Sequence, residues 1–176
     1  MLEIILVSTI IAVIVCAIIV ARQPADFCIS RTAVISAPVS TVFEQVNDLA
    51  KWEPWSPWAK LDPAATNTFE GPASGVGAVM SWSGNNKVGA GRMTITASRP
   101  DEAICFRLEF LKPFKATNTA EFTFKPDADK TVVTWSMSGT NNFIGKAMSL
   151  VMNCDKMVGG QFEQGLATIK ALVETA

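Results

Sequence analysis

The chain contains no histidine and no tyrosine. Any proton transfer therefore falls to carboxylates, arginines or a thiol, not to the commonest general base or to a phenol. Asp48, Glu53, Glu70, Arg92, Cys105, Arg107 and Glu109 are the candidates of that kind. Alternation puts Cys105, Arg107 and Glu109 on one solvated strand face, where Arg107 is expected to pair with Glu121 as a surface ion pair. Asp48 reads as a helix-end residue. Glu53 reads as a polar group at a pocket mouth or as a solvated loop carboxylate. Cys16, Cys28, Cys105 and Cys154 lie far apart with no CxxC pair, so neither a disulfide framework nor a metal site is indicated. The run Gly71-Pro72-Ala73-Ser74-Gly75-Val76-Gly77 lacks a Gly-Lys-Ser/Thr ending and precedes a strand, so it is a turn and not a phosphate cradle. No catalytic residue, metal or cofactor is assigned, and the reading leans away from an enzyme.

What the chain does concentrate is apolar aromatic surface. Trp52, Trp55 and Trp58 fall within Trp52-Glu53-Pro54-Trp55-Ser56-Pro57-Trp58, in a chain with 5 tryptophans in all. Tryptophan joins a large apolar body to one N–H donor, and Pro54 and Pro57 exclude helix interior and central strand. Such a loop either plugs a core or lines an apolar cavity.

Around this loop the sequence sets out regular elements. Phe27–Ile35 alternates as a strand, and Ser40 is the expected N-cap of a helix that buries Phe43, Val46 and Leu49. Strands are predicted over Thr66–Glu70, Gly77–Ser83, Val88–Ser98, Ala103–Phe110, Ala116–Lys125 and Thr131–Gly139, joined by short turns into an antiparallel meander. Their period-two pattern collects Trp82, Met93, Phe106, Phe110, Trp135 and Met137 on a dry face, against Arg92, Thr94, Arg107, Glu109 and Glu121 on a wet one. Val151, Cys154, Val158, Phe162, Gly165, Ile169 and Leu172 recur at helical steps, which predicts one long C-terminal helix covering the dry face. Gly159, Gly160 and Gly165 each cost such a helix about 1 kcal/mol relative to alanine, so close backbone approach or retained empty volume is expected there. The richness in Met and Trp leans toward an adaptable apolar cavity.

Leu2–Ala21 is apolar except for Glu3, Ser8 and Thr9, and twenty helical residues span the ~30 Å hydrocarbon core of a bilayer. No basic residue precedes the run and Glu3 has the wrong sign for a signal peptide, so an uncleaved single-pass anchor is expected. Arg22 and Arg31 follow the span, which favours a cytoplasmic C-terminal domain. Residues 1–22 are thus the expected transmembrane anchor, 23–26 a linker and 27–176 one domain. Outside the anchor the charges balance, with no basic cluster, so no nucleic-acid footprint is present.

Three stretches carry a family resemblance. Ile35-Ser36-Ala37-Pro38-Val39-Ser40-Thr41-Val42-Phe43, Val46-Asn47-Asp48-Leu49 with Trp52 and Trp55-Ser56-Pro57-Trp58, and Asp155-Lys156-Met157-Val158-Gly159 with Phe162-Glu163-Gln164-Gly165 resemble the START-like (SRPBCC) superfamily. That resemblance implies an α+β helix-grip fold, a curved antiparallel sheet wrapped around a long C-terminal helix. It also implies a mostly apolar cavity between the sheet and the C-terminal helix for a lipid, polyketide or quinone-like molecule. The ligand contacts expected are Trp52, Trp55, Trp58, Trp82, Met93, Phe106, Phe110, Trp135, Met137 and Phe162. Membrane-tethered binding of a small hydrophobic ligand is the first functional reading. A polyketide cyclase or dehydratase using pocket carboxylates is the second, and a protein-interaction module with an exposed apolar patch is the third.

Overall fold

In the computed structural model, which describes residues 1–175, an apolar helix precedes one sheet and three further helices. The domain end expected at residue 176 lies outside these. Helix α1 (Leu2–Ala21) is long and apolar enough to cross a membrane, by length and composition.

Strand β1 (Asp26–Ile35) leads into α2 (Val39–Asn47) and a short 3-10 turn, Leu49–Trp52. Helix α2 begins at Val39, with Pro38 at the cap position and no side-chain cap, so the expected Ser40 N-cap is corrected. Proline's fixed φ sets the entry angle here in place of a hydroxyl. Asp48 does end the helix: its Oδ1 accepts from the Ala50 amide at 3.0 Å.

Six more strands follow: β2 (Thr66–Glu70), β3 (Val79–Ser83), β4 (Ala90–Arg99), β5 (Ala103–Lys112), β6 (Ala116–Asp127) and β7 (Lys130–Thr140). All neighbours are antiparallel, in the order β1-β7-β6-β5-β4-β3-β2. The meander therefore matches its sequence pattern, with β1 closing against the last strand. Between β2 and β3, Gly71, Gly75 and Gly77 take positive φ, a turn made by residues that lack a Cβ.

The C-terminal region departs from the single helix expected. It is broken at Met152–Asn153 into α3 (Phe143–Val151) and α4 (Cys154–Glu174). Asn153 starts the second helix, its side chain accepting from the Lys156 amide at 2.9 Å. Val151 consequently leaves the buried stripe and is 87% exposed. Leu172 leaves it too, at 39% exposed, and Val173 packs against the core in its place, while Phe162, Gly165 and Ile169 are buried as expected.

Candidate functional site

The dry face is legible as rows of paired residues running across the sheet. One row is Arg31, Trp135, Phe122 and Ile104; the next is Ile29, Met137, Ala120, Phe106 and Ile95. A third is Phe27, Gly139, Asn118, Leu108, Met93 and Met80, and beyond it lie Phe110, Gly91 and Trp82. Going from the first row to the last moves toward Asp26, where the chain arrives from α1.

The first two rows are filled. Trp135 stacks on Phe162 at 4.2 Å and on Phe122 at 4.6 Å, so sheet and α4 are in direct contact at that level. Trp52 and Trp55 insert into the same cluster, with Trp52 edge-on to Phe106 at 5.5 Å and Trp55 edge-on to Trp135 at 5.8 Å. Their indole N–H groups donate to Val46 O at 2.9 Å and Gln45 O at 3.1 Å. Each donor is satisfied by a carbonyl of α2, which is what permits complete burial of so large a polar-tipped ring. The loop therefore plugs one half of the dry face. Trp58 sits at the edge of the plug, half-buried against Trp135 and Phe162.

The other half is open. Phe27, Met80, Trp82 and Leu108 are only partly buried against the core, and Phe110 joins them edge-on to Trp82 at 5.9 Å. Met93 and Met137 form the floor where this trough meets the filled rows. Of the expected ligand contacts, Trp82, Met93, Phe110 and Met137 thus line the open half. Phe106 stands at the boundary, while Trp52, Trp55, Trp135 and Phe162 belong to the closed core. Trp82 donates weakly to Val88 O at 3.4 Å, and Asn118 is the polar side chain that the register adds to the trough. Gln161 Oε1 on α4 is shielded from solvent with no hydrogen-bond partner among the described residues, one turn before Gly165, which meets Pro57 and Trp135.

Arg31 is the residue whose role the sequence did not disclose. It points inward from β1, and all five of its N–H donors find partners. Nε donates to Glu163 Oε1 at 2.6 Å, and Nη1 and Nη2 to the Asp155 carboxylate at 3.1 and 2.9 Å. The remaining two go to Ser30 O at 2.8 Å and Asp155 O at 3.1 Å. Gly159 lies flat over this guanidinium, and a Cβ there would collide with it. The glycine is thus explained by close approach, and the first turns of α4 are clasped to β1 by charge.

Hydrogen bonding to Arg31 holds the Asp155 carboxyl below its ordinary value of 3.8. Accepting the Ser36 amide at 2.6 Å lowers Glu174 below 4.5. A lowered folded-state pKa stabilises the fold above the ordinary carboxylate value, and the contribution is lost as pH falls through the lowered one. The urea midpoint of the segment from Gln23 onward should therefore exceed that of its Asp155→Asn variant at neutral pH. The two should converge as pH is taken from about 6 to about 3. A gap that is unchanged at acid pH would show that the clasp contributes nothing through ionisation.

The acid–base candidates lie elsewhere. Arg92 pairs with Glu70 at 3.3 Å on the wet face, and Glu53 is exposed in the loop. Arg107 pairs with Glu109 at 2.9 Å, not with Glu121 as expected. Its partner across β6 is Thr119, and Glu121 faces Cys105 instead. Burial, followed by the nearby Glu121 carboxylate, pushes the Cys105 thiol pKa up, which disfavours the thiolate that nucleophilic chemistry needs. An open groove of ≈ 610 Å³ is lined by Thr96, Arg107, Thr117, Thr119, Ser138 and Thr140 of the wet face, with Asp26, Phe27, Phe106, Asn118 and Gly139 completing its wall.

Comparison with known proteins agrees with this fold. No curated protein matches the chain in sequence. Among solved structures, protein CV1439 from Chromobacterium violaceum superposes with a TM-score of 0.61 at 16% identity, covering 84% of this chain and 96% of that one. Ara h 8.0201 gives 0.58 at 11%, covering 86% and 99%. The di-domain ARO/CYC StfQ from the steffimycin biosynthetic pathway gives 0.62 at 11%, over 86% of this chain and 51% of that one. At such identities these likenesses speak for the fold alone. The sequence profile described as polyketide cyclase / dehydrase and lipid transport matches residues 26–174, and the chain belongs to that family.

Proposed function

We propose that this protein binds a small hydrophobic molecule (a lipid, polyketide or quinone-like compound) in the open half of its dry sheet face, next to a bilayer spanned by α1. The observation that carries the reading is the trough of Phe27, Met80, Trp82, Leu108 and Phe110. Apolar side chains stay half-exposed there while the adjacent rows are fully packed. Burying apolar surface yields roughly 25 cal/mol per Å², so a ligand covering these rings gains what the protein has left unused. Asn118 supplies a polar handle for orientation.

In the same reading residues 1–22 are a single-pass anchor, 23–26 a linker, and the remaining chain a cytoplasmic domain. Tethering holds the trough beside a reservoir of apolar molecules and raises their effective concentration. A cyclase or dehydratase would need an acid–base group in the trough. The register brings Asn118 there, and places Arg92, Cys105, Arg107 and Glu109 on the opposite face.

The test uses an environment-sensitive anilinonaphthalene dye and the segment from Gln23 onward, which holds the whole family match. Trp82→Ala is expected to weaken dye binding roughly tenfold, from the loss of most of one aromatic contact of about 1.5 kcal/mol, with little change in the unfolding midpoint. Equal dye binding by the native chain and by Trp82→Ala, Phe110→Ala and Leu108→Ala would remove the trough from consideration.

A further inference from the structure

Helix α3 has the composition of a core helix and the burial of none. Not one of its residues is buried, and Phe143, Ile144, Met148, Leu150 and Val151 are all exposed. Its face forms a shallow, almost wholly apolar groove of ≈ 400 Å³. An apolar surface of this kind on a water-facing helix marks an interaction site. The interaction-module reading anticipates such a patch, and its position decides what covers it.

That position is the end of α1. Helices α1 and α3 touch, Lys146 Nζ donates to Ala21 O at 3.3 Å, and the Asn141 amide donates to Ala25 O at 2.8 Å. The turn between β5 and β6 lies at the same end of the sheet. Phe110 pairs with Ala116, Asn118 with Gly139, and Gly139 with Phe27. Two to three strand steps, about 10–14 Å, therefore separate this turn from the strand that leaves α1. Its tip is again apolar: Leu111 and Phe114 are exposed, flanked by Lys112 and Lys115. Apolar tips with adjoining lysines suit the headgroup–acyl boundary, where the stems bury and the ammonium groups reach phosphate.

We propose that α3 and the β5–β6 tip insert together into the surface of the leaflet that α1 leaves, so that the open end of the trough abuts the lipid. The partner is a lipid surface, and the inference rests on α1 being a membrane span. A second copy of the chain covering α3 would give the same burial in water, without lipid contact.

The experiment uses the full chain in phosphatidylcholine/phosphatidylglycerol vesicles carrying lipids with a nitroxide high on the acyl chain. The four native cysteines are replaced by serine, and a nitrobenzoxadiazole label is attached at Val151→Cys, Phe114→Cys or Asp129→Cys, or at Cys16 retained alone. Labels at Val151→Cys and Phe114→Cys should be quenched roughly threefold or more over Asp129→Cys, at the opposite sheet end, as an interfacial depth of ~5–10 Å demands. Quenching at Cys16 with none at Val151→Cys and Phe114→Cys overturns the insertion and leaves the anchor intact. A Val151→Cys label shielded from aqueous iodide but untouched by lipid nitroxide assigns the face to a second copy, and also overturns it. An unquenched Cys16 label sinks the span reading and this inference with it.

Discussion

Trp55→Ala is expected to lower the folding stability of this domain by about 3–5 kcal/mol. Trp55 is 0% exposed, and its ring lies 4.5 Å from Trp52, 5.8 Å from Trp135 and 6.2 Å from Phe122. Truncation opens a cavity walled by three rings that are themselves wedged between sheet, α2 and α4, so the walls have little freedom to collapse. It also leaves Gln45 O without its indole donor. Trp58→Ala, at the half-buried edge, should cost about 1–2 kcal/mol, the share expected for a partly exposed ring. Urea denaturation of both variants separates them. A Trp55→Ala loss under about 1 kcal/mol would mean that the loop is a mobile lining and not a plug.

A second large effect is expected from the glycines of α4, and with opposite signs. A Cβ at Gly165 would stand 2.7 Å from Trp135 Cζ3 and 3.3 Å from Pro57 Cδ. Gly165→Val must push apart the loop and the sheet, with an overpacking cost of about 1–3 kcal/mol or more. Nothing lies within 4 Å of a Cβ at Gly160, so Gly160→Ala should instead stabilise by up to about 1 kcal/mol through helix propensity alone. Thermal unfolding of the two variants measures both signs. If Gly165→Val is neutral, the contact between α4 and the plug is not close. If Gly160→Ala is destabilising, that face of α4 is covered by something the isolated chain lacks.

Much of this was readable in the sequence, for reasons that differ from place to place. The alternation through Met93, Phe106, Phe122 and Trp135 fixes the dry face, because one side of a sheet must be apolar throughout. Breaks at Gly84–Lys87 and Pro126–Asp129 fix the meander. The division of α3 from α4 was hidden because Val151 and Cys154 continue a helical step, and period alone cannot see a cap. Asn153 ahead of Asp155 is the local signal that marks the second start. For the tryptophan loop, the residue type suits plug and pocket equally, and only the carbonyls of Val46 and Gln45 decide. Arg31 followed the inward alternation of β1, but its partners are 124 and 132 residues away. No local pattern encodes such a meeting. The trough's depth was likewise beyond the sequence, since it depends on how far the loop reaches across the sheet.

The plug has a metric consequence. It blocks the dry face at the level of Phe106, and the strand continues from there to Phe110 at the open end. Four residues at about 3.3 Å each give roughly 13 Å of usable length. In the proposed reading the protein is then a gauge with one closed end. It covers the leading segment of whatever enters, and anything longer keeps its remainder outside, in the phase from which it came.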